Sequence, residues 1–321
     1  MDHFKENVLK RTIVKHARKN AGDVLLGAGP GIDAAVMKDG MVMAIGTAES
    51  KEPTAGMSVC ELALLRAANN LFTKCDTLEY VTMTLLAGNE VDEESIRLSM
   101  ISLEEALTGM GASLVHGDSR ISKALSPDGI VATISAFGFG KNAAPEPEKI
   151  STGDRIVLTG YPGRYRAYNI SVSEKDYLHK QFPEPITDAL TAVSPDELST
   201  QSACRIARLN NAGFIHDISF GGLYRALFNI SEYAGLGVSI QHEAVPVMQE
   251  IIELSEFCNE DPYTWDSQGS VLIAVGPDNA EELIKNLKAE GIVAADIGCF
   301  TSEKKKVIKY NHSEMERYIN L

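Results

Sequence analysis

Apolar positions in this chain recur at a period of two in some stretches and of about 3.6 in others, and the changes of period mark its elements. In residues 4–19, Phe4, Val8, Leu9, Thr12, Ile13 and Ala17 fall on one helical stripe, with His16 a solvated or capping residue. Residues 34–37 and 41–47 are short apolar runs around Asp39-Gly40, a tight-turn pair, so they predict a β-hairpin. Residues 56–73 predict a helix with Ser58 as N-cap and Glu61 at the capping-box position. That helix is apolar nearly all round, which predicts burial. A strand over 78–86 and a helix over 92–110, stopped by Gly109 and Gly111, come next. A short strand over 112–115 then delivers His116-Gly117-Asp118-Ser119, and 130–139 is a further strand.

The stretch 141–149, KNAAPEPEK, is proline-rich and charged and breaks the pattern. It predicts two domains, 1–148 and 149–321. In the second, strands are expected at 155–159, 214–218, 238–241, 270–275 and 295–300. Helices are expected at 185–193, 198–210, 223–234, 247–257 and 279–290, with Ser219 as N-cap of the third. Strands interleave with single helices, so each half reads as an α/β sandwich, and the whole as an α+β protein.

Composition narrows the chemistry. A formal net charge of -14 argues against nucleic acid as a partner. No run approaches the ~20 apolar residues of a membrane span, and the N-terminal stretch lacks a signal-peptide core, so no membrane partner and a cytoplasmic location are expected. Cys60, Cys75, Cys204, Cys258 and Cys299 form no CxxC pair, which argues against structural zinc. All five are expected to be buried thiols without a chemical role.

The candidate chemistry begins at Gly27, Gly29, Pro30 and Gly31, a loop of small residues followed by Asp33. Backbone N–H groups in such a loop can approach phosphate, and a carboxylate beside it can hold Mg²⁺. The glycines do not open a helix after a strand, so a dinucleotide-binding fold is not expected. Asn69-Asn70, late in an apolar helix, are either a polar exit or amides facing a ligand. Asp118 beside Gly117 is either a turn former or a metal ligand. His216-Asp217 precedes Ser219-Phe220-Gly221-Gly222 and either braces that turn or faces a substrate.

Taken in order, these pieces resemble the superfamily of aminoimidazole ribonucleotide synthetase (PurM), thiamine-monophosphate kinase, selenophosphate synthetase and the hydrogenase-maturation protein HypE, the HypE-like members most of all. The pieces are Gly31-Ile32-Asp33-Ala34-Ala35-Val36, Asn69-Asn70-Leu71, Val115-His116-Gly117-Asp118-Ser119, residues 153–163, His216-Asp217-Ile218-Ser219-Phe220-Gly221-Gly222, Ser267-Gln268-Gly269-Ser270 and Ile297-Gly298. The resemblance implies a two-domain fold whose first domains pair their sheets across a homodimer, with ATP near that seam. It implies Gly29, Gly31, Asp33, Asn69, Asn70, Gly117 and Asp118 as cofactor-binding residues and Asp33, Asp118 and Glu49 as Mg²⁺ ligands. It places a small-molecule or protein-bound substrate near His216 and Asp217, the expected catalytic pair.

The departures are specific. Ile32 stands where the superfamily often has a second Asp, Asn70 where it has Asp, and Arg166 where it has a third Gly. After the hairpin the carboxylate is displaced to Glu49. HypE-like proteins end in a cysteine that carries a carbamoyl group; the sequence here ends Arg317-Tyr318-Ile319-Asn320-Leu321, so that chemistry is not expected to carry over. Two functions follow. One is an ATP-dependent enzyme that phosphorylates or dehydrates its substrate; the other is a non-catalytic dimer that binds a nucleotide or a partner.

Overall fold

A computed structural model describes residues 8, 11–16, 22–29, 31–140, 150–310 and 316–319. The expected boundary between 148 and 149 lies outside them, as does most of the helix expected over 4–19. Within that stretch Val8, Arg11 and Thr12 are α-helical and Val14–His16 forms a short 3₁₀ turn.

The first half runs β1 (Val24–Leu26), β2 (Ala35–Met37), β3 (Met41–Glu49), α1 (Val59–Phe72), β4 (Tyr80–Ala87), α2 (Glu93–Met110), β5 (Ser113–Ile121) and β6 (Ile130–Phe139). Its six strands pair in the order β1-β2-β3-β6-β4-β5, antiparallel except for β4 with β5. Gly40 takes a φ of 88° in the Asp39-Gly40 turn, and the hairpin closes with Val36 opposite Val42. Ser58 and Glu61 form the reciprocal capping box, which satisfies two backbone N–H groups at the start of α1. β5 is a nine-residue strand, exposed along its whole length. It is longer than the sequence pattern implies, so Gly117-Asp118 sits within an edge strand and not at a strand end.

The second half runs β7 (Arg155–Thr159), α3 (Arg164–Ser173), α4 (Lys175–Leu178), α5 (Glu184–Thr191), α6 (Gln201–Leu209), β8 (Ala212–Ile218), α7 (Gly222–Ala234), β9 (Gly237–Gln241), α8 (Gln249–Cys258), β10 (Ser270–Val275), α9 (Pro277–Ala289), β11 (Ala294–Thr301), β12 (Lys306–Lys309) and β13 (Glu316–Tyr318). Its seven strands pair in the order β13-β12-β9-β11-β7-β10-β8. The sequence pattern misses α3, because RYRAYNISVS carries no apolar stripe; its buried positions include Arg164 and Tyr165. Arg164 is accommodated because its guanidinium donates to the carbonyls of Ala189, Leu190 and Ala192 and pairs with Glu197 at 3.0 Å. Ser219 is not the cap of α7; Gly221, at φ 83°, takes that place without a side-chain bond.

Alternate residues of the central strands feed different cores, as a pleat demands. Val271, Ile273 and Val275 of β10 join one cluster with Leu62, Leu71 and Ile134 of the first half. Leu272 and Ala274 join another beneath α7, with Leu227 and Phe300. The shared cluster is why α1 reads as apolar all round: one side lies on β3 and β6, the other against α6 and β8. Only Glu61, Arg66 and Asn70 of α1 escape full burial. No described helix is long and apolar enough to cross a membrane.

Cys60, Cys75 and Cys204 are buried as expected, but Cys258 and Cys299 are only half-buried. Burial pushes the Cys60 and Cys75 thiols up to about 11 and Cys204 up to about 12. Those three stay protonated at neutral pH and are poor nucleophiles.

Candidate active site

The two halves are fastened by polar contacts that α1 and its flanks make. Asn69 is 1% exposed; its Nδ2 donates to the Leu198 carbonyl at 2.8 Å, and its Oδ1 accepts from the Thr200 N–H at 2.9 Å. Its amide therefore helps to hold the second half, and the residue also lines the cavity that lies between the halves. Tyr165 donates to the Pro53 carbonyl at 3.0 Å, and Tyr168 accepts from the Ala55 N–H at 2.9 Å. Between these fasteners lies a cavity of about 870 Å³. Its walls come from β3 and the segment after it, from Arg66, Asn69 and Asn70 of α1, from α3, from the end of β8 and the turn after it, and from residues 258–268.

Arg66 holds one wall together. Its Nη2 lies 2.6 Å from Glu52, its Nη1 donates to the Thr47 carbonyl at 2.7 Å and its Nε to Gln268 Oε1 at 3.1 Å. Its guanidinium also sits over the Tyr165 ring, 6.0 Å from the centroid. Nothing in the local sequence marks Arg66: it is a lone cation in an apolar helix, and Gln268 lies 202 positions away. Asp266 was equally unmarked, in an irregular segment after the single tryptophan, Trp265. Burial pushes the Asp266 carboxyl up to about 6, against the pull of Arg66.

His216 and Asp217 end β8, 5% and 6% exposed. Asp217 lines the cavity; His216 does not. Both are tied to Asp33. His216 Nδ1 lies 2.8 Å from Asp33 Oδ1, and the Asp217 N–H donates to Asp33 Oδ2 at 3.1 Å. Burial, with the charges of Asp33 and Asp266, holds the Asp217 carboxyl well above the usual range, while Ser219 bonds it from the turn. Asp217 Oδ1 and His216 Nε2 are buried with no hydrogen-bond partner.

The structure gathers some of the expected residues and separates others. Asp33, His216 and Asp217 meet, and Glu49, Asn69 and Asn70 line the cavity. Gly31 packs against α7: its φ is 71°, and an added Cβ would sit 3.0 Å from the Asn229 carbonyl oxygen. Gly29 lies just before it in the loop, its carbonyl accepting from the Ile32 N–H. Neither glycine lines the cavity. Gly117 and Asp118 are on β5, with Asp118 52% exposed and paired to Arg120 at 2.8 Å. β5 is four strand positions from β2, on the order of 19 Å at ~4.8 Å each. Asp33, Glu49 and Asp118 therefore do not form one magnesium site within a protomer. Among the described residues no group of three or more His, Cys, Asp or Glu converges to hold a metal.

The model of the "AIR synthase related protein, C-terminal domain" matches residues 151–311, half of the chain. This chain belongs to the AIR synthase-related family. The PurM/HypE-like fold of that family is the fold described above. The chain is 25% identical over 253 residues to "Carbamoyl dehydratase HypE" of Rhodobacter capsulatus, covering 77% of this chain and 71% of that protein. It superposes on HypE in a HypE–HypF complex with a TM-score of 0.78 at 19% identity, covering 97% of this chain and 99% of the other. A HypE structure in complex with ATP gives a TM-score of 0.71 at 18% identity, over 98% of this chain and 93% of that one. In this chain Asp217 of the second half and Thr47 and Glu49 of the first line one cavity.

Proposed function

We propose that this chain is an ATP-dependent enzyme that uses Mg-ATP to phosphorylate or dehydrate a substrate held between its two halves, and that it acts as a homodimer. The observation that carries this is the cavity. It is the size of a small-molecule site, and it brings a buried carboxyl, Asp217, opposite residues of the first half. The same fold holds ATP in HypE. Magnesium, when bound with the nucleotide, would supply positive charge that offsets the charge developing on the phosphate oxygens. It needs only one or two protein carboxylates beside those oxygens. Glu49, in the cavity wall, and Asp118, on the open edge, are the carboxylates we assign to it; Asp33 is committed to His216 and Asp217.

Burial raises the Asp217 carboxyl above the ordinary carboxylate range, which suits it to exchange a proton with a bound substrate. In a dehydration its protonated form would donate to the departing oxygen; in a kinase reaction its ionised form would accept the proton of the attacking group. Asp33 acts as a positioning residue, holding the His216 ring and the Asp217 backbone.

The test is single-turnover incubation with Mg-ATP, with and without a small-metabolite extract, against an Asp118→Ala control. ADP or phosphate release at least tenfold above the control, a difference of about 1.4 kcal/mol in barrier, is expected. ATP bound without any release would favour the non-catalytic dimer, a reading encouraged by the engagement of Asp33 and Asn69 in purely internal bonds. No ATP binding at all would overturn the enzyme and the nucleotide-binding dimer, and would leave only a dimer that binds a protein partner.

A further inference from the structure

The polar groups around the cavity are unevenly matched. Glu49, Glu52, Glu174, Asp217, Glu260 and Asp266 line it, against Lys51, Arg66 and Arg166. Lys51 and Arg166 are exposed residues at the rim. Arg66, the cation built into the wall, has each guanidinium nitrogen engaged, by Glu52, the Thr47 carbonyl and Gln268. An anion entering the cavity meets no uncommitted cation in that wall. The unsatisfied atoms lean the same way. Among the residues that line the cavity, Asp217 Oδ1, Glu52 Oε1 and Asn169 Oδ1 are buried acceptors without a partner, against one donor, Gln268 Nε2; Ser171 Oγ and His216 Nε2, also unpartnered, lie outside the lining. Asp217 and Gln268 are more than nine-tenths buried. Buried acceptors left without donors cost ~1–3 kcal/mol each, so a ligand that brings N–H groups relieves them.

Resting on the reading of this cavity as the substrate site, we propose that the substrate enters it by a cationic nitrogen group, an ammonium or amidinium, seated between the carboxyls of Asp217 and Asp266. Trp265 adjoins Asp266 in the same wall, its ring largely buried and its Nε1 donating to Glu260, so its emission is sensitive to changes there. Gln268 Nε2 remains to meet an oxygen elsewhere on the same molecule.

Trp265 is also the reporter, as the chain's single tryptophan. Its fluorescence is followed while n-butylammonium, acetamidinium or butyrate is added at constant ionic strength. Saturable binding of the two cations and none of butyrate is expected, with affinity reduced at least tenfold in Asp217→Asn and in Asp266→Asn. Circular dichroism confirms that each variant is folded; should Asp217→Asn fail to fold, Asp266→Asn alone decides. Butyrate binding as tightly as n-butylammonium, or cation affinity unchanged in the folded variants, overturns the inference. ATP affinity, measured by calorimetry on the same wild-type sample, separates the two readings. Protein that binds ATP but neither cation rejects this inference alone, whereas protein that binds a cation but no ATP rejects the nucleotide function alone.

Discussion

Asp266 shows how a single residue in this cavity bears on the stability of the whole. Its carboxyl is pushed up to about 6 because burial disfavours its charge more than Arg66 favours it. The folded chain thus holds the Asp266 proton more tightly than the unfolded chain, whose carboxyl titrates near 3.8. Between those values the native state binds more protons, so this residue's contribution to stability is full below about pH 3.8 and is lost as pH rises through about 6. A shift of about two units sets an upper limit of ~3 kcal/mol, and partial solvent contact lowers the expected value to ~1–2 kcal/mol. Asp266→Asn should therefore flatten the fall in stability between pH 4 and 6 and raise the melting temperature at pH 7–8. Thermal melts of both proteins across pH 4–8 check this, and a variant no more stable than wild type at pH 8 would count against it. Asp217 carries a shift of the same sign, so it adds to the slope that remains in the variant. Of these groups, His216 and Asp217 were legible in the sequence, because a charged pair ahead of a Gly-Gly turn is a local signal. Arg66 and Asp266 were not, because burial and partners far along the chain give them their character.

At the scale of elements, legibility followed the same division between local and distant causes. Strands β6, β7 and β10 coincide with the apolar runs that announce them, and α1 with its capping box. β5 was cut short because its residues alternate with no buried face to mark it, and α3 was missed because its buried side chains include an arginine. Gly46 is a further case in which packing sets the residue type. It sits mid-strand on β3, where an added Cβ would lie 2.3 Å from the Ala67 nitrogen and 2.4 Å from the Ala63 oxygen of α1. Both obstacles are helix backbone and cannot rotate aside. Gly46→Ala should cost ~3 kcal/mol or more, or abolish folding, by prising β3 from α1 and opening the cavity wall that Thr47 and Glu49 form. Gly109 is the contrasting position: it lies within α2, and an added Cβ meets nothing within 4 Å. Gly109→Ala should stabilise by ~0.5–1 kcal/mol through helix propensity alone. Urea midpoints for the two variants measure both, and equal effects would show that contact with α1 is not what reserves position 46 for glycine.

For the molecule as a whole, the two-domain layout was legible because interleaved strands and helices on either side of a proline-rich stretch repeat an α/β pattern. The way the halves lock through Asn69, Arg66 and Asp33 was not, since each lock joins residues more than a hundred positions apart. The face left over is the far edge of the first sheet. Among the described residues β5 pairs only with β4, so its other side offers a row of backbone groups, and Leu114, Val115 and Ile121 are 38%, 55% and 73% exposed. Leu98 and Ile101 of α2 are exposed as well. An uncovered apolar edge strand is usually paired or protected by charge. The proposed homodimer would pair it with a second copy, and that pairing would also bring Asp118, remote from the cavity of its own chain, towards the other protomer. Val115→Lys places a charge on this edge without touching the described core. It should convert a dimer to a monomer in light scattering at micromolar concentration, and should lower ATP affinity at least tenfold although Val115 does not line the cavity. Wild-type protein that is already monomeric would overturn the dimer. A monomeric Val115→Lys with undiminished ATP affinity would leave the dimer standing but confine the nucleotide site to one protomer, removing Asp118 from it.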